Sequence, residues 1–239
     1  MKSYKQFHKG KEIEVGVIPA PIHFKHTSNH EVPSPIHFKH MDLEEERAGN
    51  YDAWKDTNEN SHLGHTNNGI RKKLTTGHDL TNDERINTLI YTRSSKPLNK
   101  KLIERTPLTG GHKDMASSLD SAISRNPMKH KVHVYSGLSF NPEDHTDDHG
   151  KMHSPAYISA THSKDEAHSF TTQHRGIHHI ARITLHPGDP AIHVSPYSAS
   201  PHEDETIIKR GVTLQHHGSS DYTDPEGFRY RVHNMSIAK

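Results

Sequence analysis

The spacing of apolar positions changes twice along the chain. Up to residue 78 they are sparse and irregular, and 57–77 is rich in Asn, His, Gly and Thr, the makeup of a linker. At Leu80 a helical pattern begins. Thr81 has the chemistry of an N-cap, and Glu84, three residues on, completes a capping box. Ile86, Leu89 and Ile90 then fall on one helix face, a stripe expected to pack into the core. Pro97 interrupts, 98–104 resumes as a short helix, and 115–125 sets Met115, Leu119, Ala122 and Ile123 on one side before Asn126-Pro127 ends it. From Lys131 the period shortens to two. Runs at 132–135, 156–159, 180–185, 191–194, 206–208, 212–214 and 228–236 predict strands, with one helix, 164–170, among them. Helices followed by strands predict an α+β fold, not a doubly wound parallel sheet.

Composition narrows the reading. Only 29% of residues are apolar, so a core forms only where they concentrate, which is after Leu80. The expected organisation is a His-rich extension and linker at 1–78, then a folded domain at 79–239. In the extension PIHFKH occurs twice, at 21–26 and 35–40. Two copies are too few for a solenoid; duplicated linker sequence and a bivalent tether to a partner both fit. Residues 41–53 have the pattern of a short acidic helix. Thirty Lys and Arg against 29 Asp and Glu leave no basic field that would argue for nucleic acid. The absence of cysteine excludes disulfides, thiolate metal sites and cysteine nucleophiles. No stretch reaches the ~18 apolar residues of a membrane span. The start, MKSYKQFHKGKE, lacks the apolar core of a secretion signal. A protein of a host-cell cytoplasm or of a virion is expected. The 26 histidines are scattered, and their spacing alone defines no metal site, so no metal ligand is assigned.

Three short segments stand at predicted strand ends: Tyr135-Ser136-Gly137, Ser159-Ala160-Thr161 and Glu203-Asp204-Glu205. Alone, each is an ordinary strand end. Their order, together with Ile90-Tyr91-Thr92, Asn99-Lys100-Lys101-Leu102 and the His186-Pro187-Gly188-Asp189 turn, resembles the mono-ADP-ribosyltransferase exoenzymes, a family that includes C3-like and binary-toxin enzymes and ADP-ribosyltransferases of T-even-like phages. The resemblance covers about Leu80 to the end. It implies the ADP-ribosyltransferase fold, helices followed by a split mixed β core around a central NAD cleft. The implied reaction splits NAD, as co-substrate, and moves ADP-ribose to a protein acceptor, with no metal needed.

Breaking the nicotinamide–ribose bond builds positive charge on the ribose, which a fixed carboxylate stabilises. By the resemblance Glu205 is that carboxylate, Ser159 orients it, and Glu203 aligns the acceptor, which its carboxylate suggests is arginine. On a strand, positions i and i+2 share a face, so both glutamates are expected to reach one cleft. The resemblance gives Tyr135, Ser136, Gly137, Thr161, Phe170, Arg175, Asn99 and Tyr91 to cofactor binding, and Tyr197 and Ser200 to the protein substrate. Gly137 is expected to let backbone amides approach the nicotinamide; Phe170 fits a nicotinamide contact or the core equally. Ser136 departs from the family's Tyr-Arg-Gly, and Ile103 from its Arg after Asn-x-x-Leu. A serine brings no charge to a phosphate, and the lost contact costs about 1.5–3 kcal/mol. Arg93, Arg105 and Arg175 are the candidate replacements. The lone catalytic domain suits a phage effector acting on host proteins. Two other readings stay open: a degenerate NAD-binding module, and a His-rich structural or metal-binding protein.

Overall fold

The computed structural model describes residues 5–8, 11–14, 54–55 and 57–239, apart from Arg175. The chain divides into two units, residues 1–40 and 41–239. The first holds a two-stranded antiparallel hairpin, β1 (Lys5–His8) and β2 (Lys11–Glu14), where sequence patterning expected no element. The PIHFKH copies and the acidic segment 41–53 lie outside the described residues.

The second unit begins with helices α1 (Asn67–Thr75), α2 (Asn82–Arg93), α3 (Lys96–Ile103) and α4 (Gly111–Arg125). Strands follow: β3 (Val132–Leu138), β4 (Lys151–Ser154), β5 (Ile158–Thr161), then helix α5 (Lys164–Ser169), β6 (Gln173–His174), β7 (Ile177–Leu185), β8 (Ala191–His193), β9 (Glu205–Ile208), β10 (Val212–Thr223) and β11 (Arg229–Ile237). The main sheet runs β4-β10-β11-β7-β3-β5-β9-β8, with β6 beside β7. Among the described residues only β11 and β7 pair in parallel; the other pairs are antiparallel. The α+β expectation holds, and so does the split. β3 and β5 share a single residue pair, Tyr135 with Thr161, and part on either side of it.

α1 corrects the linker reading of 57–77. Thr66 caps it by accepting from the Gly69 amide, and Ile70 and Leu74, four residues apart, bury in the core with Val132, Val134, Ile183 and Leu185. Two apolar residues at i and i+4 suffice to seat a nine-residue helix, although its polar surroundings hide them. Just before it, Glu59 sits between Arg182 (Nε to Oε2, 2.6 Å) and the Tyr135 hydroxyl (2.8 Å). That polar node ties the segment to β3 and β7.

α2 shows the capping box in full: Glu84 N donates to Thr81 Oγ1 at 3.3 Å and Thr81 N to Glu84 Oε2 at 2.8 Å. The buried face of α2 differs from the expectation. Ile86, Leu89 and Ile90 are 41–55% exposed, while Glu84, Thr88 and Tyr91 are buried. Pairing of Glu84 with Arg125 on α4 turns the polar side of the helix inward and its aliphatic side out. The core on this side joins Leu80, Tyr91, Leu98, Leu119 and Ile123 to Tyr157, Ile192 and Ile207 from the sheet. Each of these large side chains contributes about 1.5–3 kcal/mol by leaving water.

Candidate active site

Where β3 and β5 part, a cleft of about 660 Å³ opens. Its floor is Tyr135, Ser136 and Gly137 from β3 and Ser159, Ala160 and Thr161 from β5. Glu205 begins β9 directly opposite Thr161, so the register of one antiparallel pair delivers its carboxylate to the cleft. α5 and the residue after it supply Glu166, Ala167 and Phe170; the loop before β9 supplies Ala199, Ser200 and Glu203; the α2–α3 corner supplies Thr92, Arg93, Ser95 and Lys96.

Glu205 is 7% exposed, and its Oε2 has no hydrogen-bond partner among the described residues. Burial pushes its carboxyl up to about 7, with the nearby charge of Glu203 adding to the rise and a hydrogen bond to Ser159 opposing it. Behind Ser159 stands a polar chain. The Asn99 amide donates to the Tyr91 hydroxyl at 3.2 Å and to the Tyr157 carbonyl at 3.1 Å, and Tyr91 Oη lies 3.4 Å from Ser159 Oγ. Burial raises the Tyr91 phenol to about 12, so it keeps its proton. With Asn99 donating to it, that proton points to Ser159, which in turn donates to Glu205. Tyr91 is fully buried, and neither it nor Asn99 lines the cleft. Contrary to the expected cofactor contact, they connect to the cavity through Ser159.

Glu203 reaches the cleft differently from the strand-face expectation. It ends a 3₁₀ turn, Pro201–Glu203, and β9 starts only at Glu205. Between them Asp204 takes a left-handed conformation (φ 52°), which rotates the chain so that the flanking glutamates line one cavity while Asp204 turns inward. Asp204 is 2% exposed and held by the Arg71 guanidinium, the Ser195 hydroxyl (3.2 Å) and His162 (3.2 Å). Its carboxyl stays below the usual range: burial opposes this, but the His162 and Arg71 contacts outweigh it. Sequence reasoning missed Asp204 and Arg71. The middle residue of Glu-Asp-Glu carries no pattern that separates an anchor from its neighbours, and Arg71 is 133 residues away.

The remaining expectations divide. Ser136, Gly137, Thr161, Ser200 and Phe170 all line the cleft, and Phe170 at 56% exposure is not a core residue. Tyr135 lines it too, but its hydroxyl is engaged by Glu59. Ser136 Oγ donates to the Ser159 carbonyl at 2.9 Å, stitching β3 to β5. A Cβ on Gly137 would collide with the Ala167 carbonyl oxygen and stand 2.7 Å from the Phe170 carbonyl carbon. The chain's own backbone therefore demands that glycine, a different reason from the expected ligand contact. Tyr197 does not line the cleft; it packs on the helical side under Arg85, because Pro196 folds 195–197 into a 3₁₀ turn. Of the candidate cations Arg93 lines the cleft and Arg105 does not, while Arg175 lies outside the described residues. Lys96, overlooked in the sequence, joins Arg93 on the same wall.

The cavity thus sets a buried carboxylate with a free oxygen against two cations on another wall. That is a site for stabilising positive charge near one end of a ligand and binding negative charge at the other.

The family model for the ADP-ribosyltransferase exoenzyme domain matches residues 65–237. A search of curated proteins returns no significant match. Among solved structures, C3stau2 from S. aureus with NAD matches with a TM-score of 0.58 at 17% identity, over 72% of this chain and 94% of that one. Plx2a, an ADP-ribosyltransferase toxin from Paenibacillus larvae, matches with a TM-score of 0.57 at 16% identity, over 67% and 88%. Exoenzyme S from Pseudomonas aeruginosa, solved with human 14-3-3 protein beta and Carba-NAD, gives 0.53 at 18% identity, over 70% and 82%. At these identities the structural likeness speaks for the fold.

Proposed function

The chain belongs to the ADP-ribosyltransferase exoenzyme family, whose reaction is NAD-dependent transfer of ADP-ribose to protein, and we propose that Glu205 is its central carboxylate and an arginine side chain its acceptor. The observation that carries this is the buried, unpartnered Glu205 Oε2 at the head of β9. Once ionised, that oxygen faces the ribose as the glycosidic bond to nicotinamide lengthens, and it offsets the cationic charge in a site that water enters poorly. Ser159, held by Tyr91 and Asn99, fixes the carboxylate's rotamer. Arg93 and Lys96 meet the pyrophosphate, and Phe170 offers its exposed ring to nicotinamide.

Glu203 lines the same cavity and is half-buried at the mouth of the loop. There it aligns a guanidinium and helps remove its proton during attack on the ribose. The exposed Ile86, Leu89 and Ile90 lie on α2, the helix that supplies Thr92 and Arg93 to the cleft, and give a protein acceptor an apolar surface to cover.

Incubation of the full chain with labelled NAD and a bacterial lysate, followed by mapping of the modified residue, tests the reading. Label on arginine, lost with Glu203→Gln while slow NAD hydrolysis persists, is the expected result. If Glu205→Gln cleaves NAD as fast as the unaltered chain, the central assignment fails; modification of another residue type overturns the acceptor alone.

A further inference from the structure

Three neighbouring strands each present one histidine to the same face of the sheet, and none of the three lines the cleft. Ala181 pairs with His233, which puts His179 two residues before it on that face; Met235 pairs with His216 and shares the face of His233. A bulge between His216 and Ser219, with Gly218 at φ 115°, interrupts the ladder beside His216. The 3₁₀ turn Pro142–His145 then lays Glu143 over the row.

We propose that Glu143 Oε1, His216 Nε2 and His233 Nδ1 form a binding site for a zinc-class divalent cation. Their separations are 3.2 Å between the two imidazole nitrogens, 3.9 Å from Glu143 to His216 and 3.7 Å from Glu143 to His233. Ligands about 2.0–2.1 Å from a tetrahedral zinc stand about 3.3–3.4 Å apart, so small side-chain adjustments close the site. The outer shell is also present. His233 Nε2 meets His179 Nδ1 at 2.9 Å, the second-nitrogen contact that fixes a ligating imidazole, and the Ser219 hydroxyl donates to Glu143 Oε1 at 2.7 Å. His233 is fully buried, so its ring is held in place by the surrounding strands. Arg231 comes within 3.6 Å of Glu143 Oε2, but Asp221 holds its guanidinium through two contacts of 2.6 and 2.8 Å. Glu143 is part-exposed, leaving the fourth position to water.

A second group, His162, His193 and Asp204, is fully buried. Its carboxylate is already neutralised by Arg71, which disfavours another cation there. The ion at Glu143 would tie the turn after β3 to β10 and β11, a staple for a chain without cysteine.

The test uses the tag-free full chain, stripped with a chelator and titrated with Zn²⁺ against a chromophoric competitor. One equivalent is expected to bind more tightly than the diffuse surface histidines and to raise Tm. Loss of an outer-shell partner weakens metal about 10–100-fold, so Glu143→Gln and His216→Gln, each removing a ligand, should weaken it at least that much. His153→Gln, an exposed histidine on β4, should leave it intact. X-ray absorption at the zinc edge of the unaltered complex should read two imidazoles with oxygen donors, whatever the variants' folding. Uptake with no distinct equivalent, an equivalent that survives both ligand changes, or a shell without two imidazoles each overturns the assignment.

Discussion

Replacing Glu205 with Gln should remove activity and stabilise the protein, with a pH dependence set by the buried carboxyl. Below about pH 4.5 the group is protonated in both the folded and unfolded chain, so the substitution changes little. Between 4.5 and about 7 the folded chain still holds a proton that the unfolded chain has released. Folding then loses about 1.4 kcal/mol for each pH unit. Above pH 7 the whole rise, from 4.5 to about 7, corresponds to ~3 kcal/mol against the native carboxylate. Glutamine stays neutral at every pH and escapes that penalty. Urea unfolding at pH 4 and pH 8 should therefore give near-equal midpoints at the lower pH, and a variant more stable by up to about 3 kcal/mol at the higher. NAD cleavage at pH 8 should fall by about 100-fold or more, the scale of losing one preorganised electrostatic contact. A stability difference that is the same at both pH values, or a variant weaker at pH 8, would refute the idea that the site stores an ionised carboxylate at a cost to the fold.

Other consequences are smaller or more local. Ser159→Ala removes the hydrogen bond that favours the ionised Glu205, so the acid limb of the kcat/KM profile should move to higher pH with little change in Tm; an unmoved limb means Ser159 does not hold the carboxylate. Arg71→Ala leaves the 2%-exposed Asp204 carboxylate short of its cation and should cost about 3–5 kcal/mol by chemical denaturation. Gly137→Ala forces the α5 end away from β3 and should lower stability by about 1–3 kcal/mol; a thermal melt unchanged from the parent would show that the approach of Ala167 is not tight.

Much of this arrangement can be read from the sequence because it depends on strands. Ser159, Thr161 and Glu205 lie on short β-branched runs whose ends are visible as composition changes, and antiparallel register brings them together. Ile86, Leu89 and Ile90 misled for a physical reason: helical periodicity locates a stripe but not which side meets the core, and the Glu84–Arg125 pair decides that from a helix more than thirty residues on. Likewise α1 rests on two apolar residues and Asp204 on a distant arginine. Contacts of that separation leave no periodic trace. The histidines are the extreme case. Scattered by sequence, His179, His216 and His233 become neighbours only through the β10-β11-β7 order, in which β11 and β7 pair in parallel.

Ser136 tests how far a missing motif residue damages a site. Its hydroxyl is engaged with the Ser159 carbonyl, so it holds the two halves of the split sheet together and is not free to meet a phosphate. An arginine at that position would have placed its charge on β3; here the charges enter from the α2–α3 corner through Arg93 and Lys96. Two cations on a different wall can offset the roughly 1.5–3 kcal/mol that one charged contact contributes. The two arrangements differ in what they ask of the protein. A strand-borne arginine is fixed by the sheet, whereas Arg93 and Lys96 are exposed side chains that must be ordered when the dinucleotide binds. On the proposed assignment of Glu205, the substitution should therefore appear as weaker NAD binding, with the carboxylate itself unaffected. Ser136→Arg should lower KM for NAD and leave kcat nearly unchanged; a rise in kcat with KM fixed would mean that the missing charge acts on the transition state instead.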